Sequence, residues 1–350
     1  MAQIDKPNLH FNTVLYTGNA STQAVTGVGF QPDWLWIKNR STTNAHNIFD
    51  AVRGTNKKID SSESTAENAS ATNLTSFDTD GFTLASNAGT NGSGNSLVSW
   101  NWKANGQGSS NTSGTINTTY TSANTTAGFS ICTWTGTGSA GTIGHGLGAV
   151  PKLMLIKNLS SAESWRIYHP SLGNATSMKL NTTDTSFSDT GAFNSTTPTS
   201  TLFTVGNSDS TNKNGDSMVA YVFAEKTGYS KMSSYKGNGN STNGPFVYTG
   251  FKPAFIIGKK SNGNADNWYM LDNKRIGFNE RNYWLYPNLN NAEYGSDEGN
   301  HTAYHADLLS NGFKIRSSDD MVNGNSNIYI FWAFAENPIV GSNNVPATAR

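Results

Sequence analysis

The sequence "GFQPDWLWIKNRS", residues 29–41, places an apolar run between a proline and a basic pair. Similar stretches return as "GAVPKLMLIKNLS" at residues 148–160 and as "GFKPAFIIGKKS" at residues 250–261. Because proline cannot donate a hydrogen bond to a strand ladder, it belongs at the start or the edge of a strand. Each stretch is therefore predicted to be a β-strand beside its proline, and the recurrence indicates an internal repeat.

Three further landmarks recur around this stretch in a fixed order. An aromatic residue before a glycine turn precedes it, in "LYTGNAS", "TWTGTGS" and "SYKGNGN". A phenylalanine segment follows it ("GFTLAS", "LFTVGN", "GFKIRS"), and a final aromatic strand closes the set ("VSWNWKA", "VAYVFAE", "IFWAFAE"). The first aromatic precedes the proline by 16, 17 and 18 residues. Such constant offsets predict three copies of one unit of about 100 residues, the usual size of a β-sandwich.

The alternation of side chains predicts which face of each strand is buried. In the first copy Trp34 and Trp36 share one face of a strand, and Leu35 and Ile37 share the other. A strand that is apolar on both faces lies inside a sandwich or is covered by a neighbouring unit. No long stretch carries the 3.6-residue apolar period of a helix. We therefore expect an all-β chain of three tandem β-sandwich repeats.

The polar segment 105–127 sets the expected domain boundaries. It is rich in Ser, Thr, Asn and Gly, which is typical of a linker. The predicted organisation is unit 1 (residues 1–104), a linker (105–127), unit 2 (128–230) and unit 3 (231–350). Since hardly any chain separates units 2 and 3, we expect these two to pack rigidly and unit 1 to be more independent.

The charge balance and the lack of long apolar runs argue against two classes of partner, nucleic acids and membranes. The 350 residues carry 24 basic and 24 acidic side chains, whereas phosphate binding needs concentrated Lys and Arg. No stretch approaches the roughly 18 apolar residues of a membrane helix. We therefore expect neither a nucleic-acid partner nor membrane insertion. The single cysteine, Cys132, excludes an intrachain disulfide, and the first residues show no secretion signal, so synthesis and folding in a reducing cytoplasm are expected.

The whole pattern resembles a known group of proteins. The strings "GFQPDWLWIKNRS", "FDAVRG", "SFDTDGFTL" and "VSWNWKA", with the ending "NNVPATAR", are similar to those of repeat-bearing tail fibre-like or virion structural proteins of marine tailed phages. The resemblance covers nearly the whole chain and implies a component of the virion built from lectin-like sandwiches. It supplies no catalytic residue. Asp33 is replaced by Lys152 and Ala254 in the later copies, so any role of Asp33 is confined to unit 1.

Candidate catalytic and metal-binding residues are few. Asp78 and Asp80 in "SFDTDGF" could supply the paired carboxylates of a glycosidase, or oxygen ligands for Ca²⁺. The same residues fit an Asp-x-Asp-Gly turn, and we predict that they form this turn and have no catalytic role. The pair His301 and His305 has a zinc-ligand spacing without the glutamate of a metalloprotease. We expect no catalytic residue and no cofactor. If a cation binds, Ca²⁺ at Asp78 and Asp80 is the expected one.

The densest polar-aromatic segment, residues 266–295, is the predicted contact surface for a ligand or a sister subunit. Exposed Trp and Tyr beside charged groups are typical of carbohydrate-binding surfaces, whereas an aromatic residue that opens a strand is more often core. The predicted contact residues are Trp268, Tyr269, Asp272, Arg275, Arg281, Tyr283, Trp284 and Tyr286.

These observations predict a non-enzymatic virion structural protein. The leading expectation is a tail fibre-like protein that makes assembly contacts with other virion proteins and attaches to host-surface glycans. A capsid decoration or head-fibre protein is one alternative, and a polysaccharide-degrading enzyme is another. We also expect a homo-oligomer, specifically a trimer, because three chains would bury one another's edge strands.

Overall fold

The computed structural model describes residues 3–275, 279, 283–293 and 306–339, and it confirms an all-β fold. Every pair of adjacent strands is antiparallel, and helical structure is limited to turns of three or four residues. These turns are the 3-10 helix Pro7–Leu9 and the helices α1 (Ala88–Asn91), α2 (Thr190–Phe193), α3 (Asp209–Asn212) and α4 (Asp320–Asn323). Within the described parts of the chain, no helix is long and apolar enough to cross a membrane.

Unit 1 contains a large sheet and a small sheet. The large sheet has the order β1 (Phe11–Thr17), β9 (Ser96–Trp102), β3 (Trp34–Asn39), β4 (Asn47–Asp50), β5 (Gly54–Asp60) and β6 (Asn68–Ala69). The small sheet has the order β2 (Gln23–Thr26), β8 (Gly81–Leu84) and β7 (Leu74–Asp78). An apolar cluster that includes Leu35, Ile37 and Phe82 lies between the two layers. This arrangement is a two-layer β-sandwich.

Unit 2 follows the same plan. Its large sheet has the order β10 (Tyr120–Asn124), β11 (Phe129–Thr135), β18 (Ser217–Phe223), β13 (Leu153–Asn158) and β14 (Arg166–Tyr168). Two short sheets accompany it, β12 (Gly141–Gly144) with β17 (Leu202–Val205) and β15 (Thr176–Ser177) with β16 (Phe187–Ser188). Strand β10 lies inside segment 105–127. The predicted linker is therefore wrong for this part, because the segment supplies an edge strand to the sheet of unit 2.

Unit 3 repeats the central strands in the same order. Its large sheet is β19 (Ser230–Lys236), β25 (Ile328–Pro338), β21 (Phe251–Lys260) and β22 (Tyr269–Asp272), and its small sheet is β20 (Phe246–Tyr248), β24 (Gly312–Ile315) and β23 (Ala306–Leu309). The quoted stretches thus supply β3, β13 and β21, each beside the last strand of its unit. All three strands are buried along their whole length.

The second face of each large sheet packs into one shared core. Trp34 and Trp36 point into this core while Leu35 and Ile37 face the small sheet, as the alternation predicted. Phe334 of unit 3 is a point where the units meet. Its ring centroid lies 5.6 Å from that of Trp102 in unit 1 and 5.6 Å from that of Phe223 in unit 2. The expectation that unit 1 is more independent is therefore wrong.

Equivalent backbone hydrogen bonds close the three units into a ring. The nitrogen of Glu67 in unit 1 donates to the oxygen of Leu159 in unit 2 at 2.9 Å, and the nitrogen of Ser186 in unit 2 donates to Ser261 in unit 3 at 3.1 Å. The nitrogen of Glu293 in unit 3 donates back to Arg40 in unit 1 at 2.9 Å. The three acceptors occupy the same place after β3, β13 and β21. Each unit therefore contacts both of the others, in a cyclic order.

Candidate functional site

The predicted contact surface in unit 3 is largely interior. Trp268, Tyr269, Asp272, Arg275 and Trp284 are all buried, with at most 8% of any one residue exposed. A ligand or a sister subunit cannot reach such side chains, so the prediction is wrong for these five residues. Their polarity is explained by neighbours within the chain, because buried polar groups need hydrogen-bond partners.

The buried ion pair of unit 3 fastens it to unit 1. The Arg275 Nε donates to the Asp272 carboxylate at 2.6 Å, and the indole nitrogen of Trp100 in unit 1 donates to the same carboxylate at 3.1 Å. Burial acts to raise the pKa of Asp272, but the Arg275 charge and its hydrogen bonds outweigh burial and hold that pKa below its usual value. The pair therefore stays ionised at a boundary between units.

The same arrangement recurs between units 1 and 2. The Arg53 Nε donates to Asp50 at 2.5 Å, and the hydroxyl of Tyr221 in unit 2 donates to Asp50 at 2.7 Å. In unit 2 the corresponding place is taken by His169, whose Nε2 lies 3.3 Å from the carbonyl oxygen of Phe331 in unit 3. Burial lowers the pKa of His169 to about 4, so this imidazole is neutral at physiological pH. These groups join units to one another.

The remaining members of the predicted surface lie farther along unit 3. Tyr283 and Tyr286 are half-buried, and the rings of Trp284 and Tyr286 stack with centroids 6.4 Å apart. Arg281 lies outside the described residues, as do His301 and His305.

Asp78 and Asp80 hold a turn together. The Asp80 carboxylate accepts hydrogen bonds from the backbone nitrogens of Gly27, at 3.1 Å, and Gly29, at 2.6 Å. The Asp78 carboxylate accepts from the Thr83 hydroxyl at 2.7 Å. Among the described residues no three His, Cys, Asp or Glu side chains are grouped as a metal site would need. The contacts of both carboxylates match the turn interpretation.

An open groove lies between units 2 and 3, and we call it the Tyr248 groove. It has a volume of about 520 Å³. Its lining includes Val150, Lys152, Glu225, Lys231, Tyr248 and Thr249. Tyr248 is 60% exposed, the largest exposure of any large apolar side chain in the described chain. An exposed aromatic residue in a concave site is informative, because large aromatic side chains are normally covered.

Local strand geometry explains the exposure of Tyr248. Among the described residues, strand β20 is the edge strand of its small sheet and pairs only with β24. Successive side chains of a strand point to opposite faces, so Val247 enters the core while Phe246 and Tyr248 point outward. The corresponding strands of units 1 and 2, "QAVT" and "GTIG", have no aromatic residue. That difference between copies is the signal by which the sequence could have indicated Tyr248.

Charged and hydroxyl-bearing residues line the same groove as Tyr248. The Glu225 carboxylate lies 3.5 Å from the Lys231 ammonium and accepts a hydrogen bond from the Met232 backbone nitrogen at 2.6 Å. Lys152 extends from unit 2 into the same lining. The groove therefore offers one aromatic face with hydrogen-bond donors and acceptors at its sides.

The fold and the groove together define an all-β protein of several antiparallel sheets with an aromatic surface groove between two of its units. The chain belongs to the family described as a domain of unknown function, DUF7483, whose model matches residues 6–338. No curated protein and no solved structure matches the chain.

Proposed function

We propose that this chain is a structural protein of a virion, tail fibre-like, that attaches to glycans on the host surface through the Tyr248 groove. The observation that carries the proposal is the exposed Tyr248 ring within a groove that is also lined by Lys152, Glu225 and Lys231. The proposed role is binding without catalysis, and its partners are other virion proteins and a surface polysaccharide.

The chemistry of the groove suits a sugar. The C–H face of a pyranose packs against an aromatic ring, and its hydroxyls need both donors and acceptors. Lys152 and Lys231 supply donors, Glu225 supplies an acceptor, and the Thr249 hydroxyl already donates to the Phe251 carbonyl at 2.7 Å, which fixes its orientation. A shallow groove of this kind binds weakly, and several copies on one particle would raise the overall affinity through avidity.

Tyr248→Ala is expected to weaken glycan binding about five- to thirtyfold, because stacking on one aromatic ring contributes roughly 1–2 kcal/mol. The measurement is binding of the full chain to an array of bacterial surface oligosaccharides, with titration of the best ligand by calorimetry. Phe246→Ala is the matched control, since Phe246 is 46% exposed on the same strand but does not line the groove. Equal loss in both variants, or no binding by the unsubstituted chain, would reject the proposal.

The cyclic arrangement favours a second candidate, a capsid decoration protein. Three units joined in a ring by equivalent contacts within one chain would suit a three-fold position on a capsid. Imaging of intact particles with a labelled antibody against this chain distinguishes head from tail. The trimer remains a proposal. Light scattering tests it, because a trimer gives three times the 37.5 kDa mass of the chain.

A further inference from the structure

A second cleft lies between units 1 and 2, and we call it the 1/2 cleft. Its volume is about 300 Å³, at the lower end of the range for small-molecule sites. Unit 1 contributes Arg53, Lys57 and Glu67 to its lining, and the segment between the units contributes Gln107, Thr119 and Tyr120. Strand ends of unit 2 complete the wall.

The segment 105–119 distinguishes this boundary from the other two. The three boundaries share equivalent backbone hydrogen bonds, but among the described residues only the first has an additional length of chain laid along it. Residues common to all three copies fill the interior, so residues that only one copy possesses are free to recognise a ligand. We call residues 105–120, which have no counterpart in the other two units, the unshared wall of the cleft. Gln107 and Tyr120 belong to it.

The unshared wall is held in place by its own backbone bonds. The Thr121 nitrogen donates to the Ser109 oxygen at 2.7 Å, and the Thr119 nitrogen donates to the Thr133 oxygen at 2.7 Å. Gly108 has a φ of +72°, and a Cβ there would lie 2.2 Å from the Thr121 oxygen, so no other residue permits this close approach. A wall fixed before binding loses little conformational entropy when a ligand arrives.

The charged base of the cleft is also fixed. The Arg53 guanidinium is buried against Asp50 and donates to the Glu67 carboxylate at 3.0 Å. The Lys57 ammonium is 3.6 Å from the other oxygen of Glu67, beyond hydrogen-bond distance, and its side chain is 51% exposed. Among the residues that the structure describes, neither the side-chain amide of Gln107 nor the hydroxyl of Tyr120 has a hydrogen-bond partner. Donors and acceptors are thus available around one carboxylate.

We propose that the 1/2 cleft is a carbohydrate site, separate from the Tyr248 groove, that takes a single neutral sugar unit. The accessible part of the Tyr120 ring, which is half-buried against the shared core, packs on one face of the sugar, while Glu67 accepts from a hydroxyl and Lys57 and Gln107 donate to others. A neutral ligand fits because the two positive charges of Arg53 and Lys57 are balanced by the two carboxylates of Asp50 and Glu67, so this cluster carries no net charge. With the groove, one chain then presents two sugar sites.

The test uses the full chain and four free monosaccharides: glucose, galactose, mannose and N-acetylglucosamine. Saturation-transfer NMR is expected to detect at least one of them, with binding weakened about tenfold or more in Gln107→Ala and in Tyr120→Ala. Gln107 lies outside the long strands, so its variant keeps the test valid if Tyr120→Ala is unstable. Tyr248→Ala is expected to retain this signal, which separates the cleft from the groove.

Two results would overturn the inference. One is the absence of a saturable signal with all four sugars. The other is a signal that both cleft variants retain and Tyr248→Ala abolishes, which would assign all sugar binding to the groove and leave the proposed attachment role intact. A signal that is lost in both cleft variants and retained in Tyr248→Ala supports the cleft.

Discussion

Phe334→Ala is expected to lower the free energy of unfolding of the whole chain by about 3–5 kcal/mol, the usual cost of removing a buried phenylalanine ring. The ring contacts Phe11 and Trp102 of unit 1, Phe223 of unit 2 and Phe255 of unit 3, with centroids 5.4–6.3 Å away. Because the cavity opens where all three units meet, faster amide exchange is expected in β9, β18 and β25 together. Denaturant unfolding and hydrogen exchange measure the two effects.

Phe82→Ala is the matched control for this prediction. Phe82 is also fully buried, but it lies between the two layers of unit 1 alone. A similar loss of stability is expected, with increased exchange confined largely to unit 1. If Phe334→Ala raised exchange in unit 3 only, the shared core would not couple the units.

Stability is expected to increase from pH 8 to pH 9, by about 1 kcal/mol for each of three buried lysines. Lys38, Lys157 and Lys259 occupy the same place in the three quoted stretches, and all three are fully buried. Each ammonium donates to the carbonyl oxygen of the next residue, at 2.5, 2.6 and 3.1 Å. Within the described residues, none of the three forms an ion pair within 4 Å.

The sign follows from the protons bound in each state. Burial lowers the pKa of each lysine to about 8, against 10.5 for the exposed side chain, although nearby Glu293, Glu163 and Asp266 partly oppose the shift. Between these values the unfolded chain binds more protons, so raising the pH favours the folded state. Below about pH 7 both states are almost fully protonated and the dependence vanishes. Above pH 9 the trend weakens, because burial raises the pKa of Cys132 to about 11 and also raises the pKa of tyrosines such as Tyr221 and Tyr235, so these groups ionise first in the unfolded chain.

Denaturant titrations at pH 8.0, 8.5 and 9.0 measure this dependence, with fixed ionic strength. The triple variant Lys38→Met, Lys157→Met and Lys259→Met keeps most of the side-chain volume and removes the titrating groups. Its unfolding free energy is expected to lose the rise with pH, and each single variant is expected to lose about a third of it. An unchanged rise in the triple variant would contradict the assignment to these lysines.

The candidate site was predicted less well than the fold. The sequence marked residues 266–295 because aromatic and charged side chains are dense there, but Trp268 opens a strand whether it faces solvent or a neighbouring unit. In the folded chain its indole nitrogen donates to the Lys179 carbonyl of unit 2 at 3.0 Å, which makes it part of a boundary. Tyr248 was not predicted as a site residue, because its strand is only three residues long. The sequence does show that the other two copies have no aromatic residue at this strand.

Segment 105–127 is a second place where composition did not predict the structure. Its Ser, Thr and Asn content is typical of a linker, yet the chain from Tyr120 to Asn124 pairs with Phe129–Thr135 and becomes an edge strand. Polar residues suit an edge strand as well as a linker, because one side of such a strand remains solvated. Composition alone does not distinguish the two, since the difference lies in the partner strand.

The sequence by itself determined that the three quoted stretches form strands and that Trp34 and Trp36 share one face while Leu35 and Ile37 share the other. Alternation along a strand is local, so it needs no knowledge of the partner strand. Only the tertiary structure decided what covers the second face of each large sheet. Arg40 and Glu293, 253 positions apart, meet in an ion pair of 2.6 Å where the ring closes. Contacts between such distant residues depend on how three sheets share one core, and no local pattern records that arrangement.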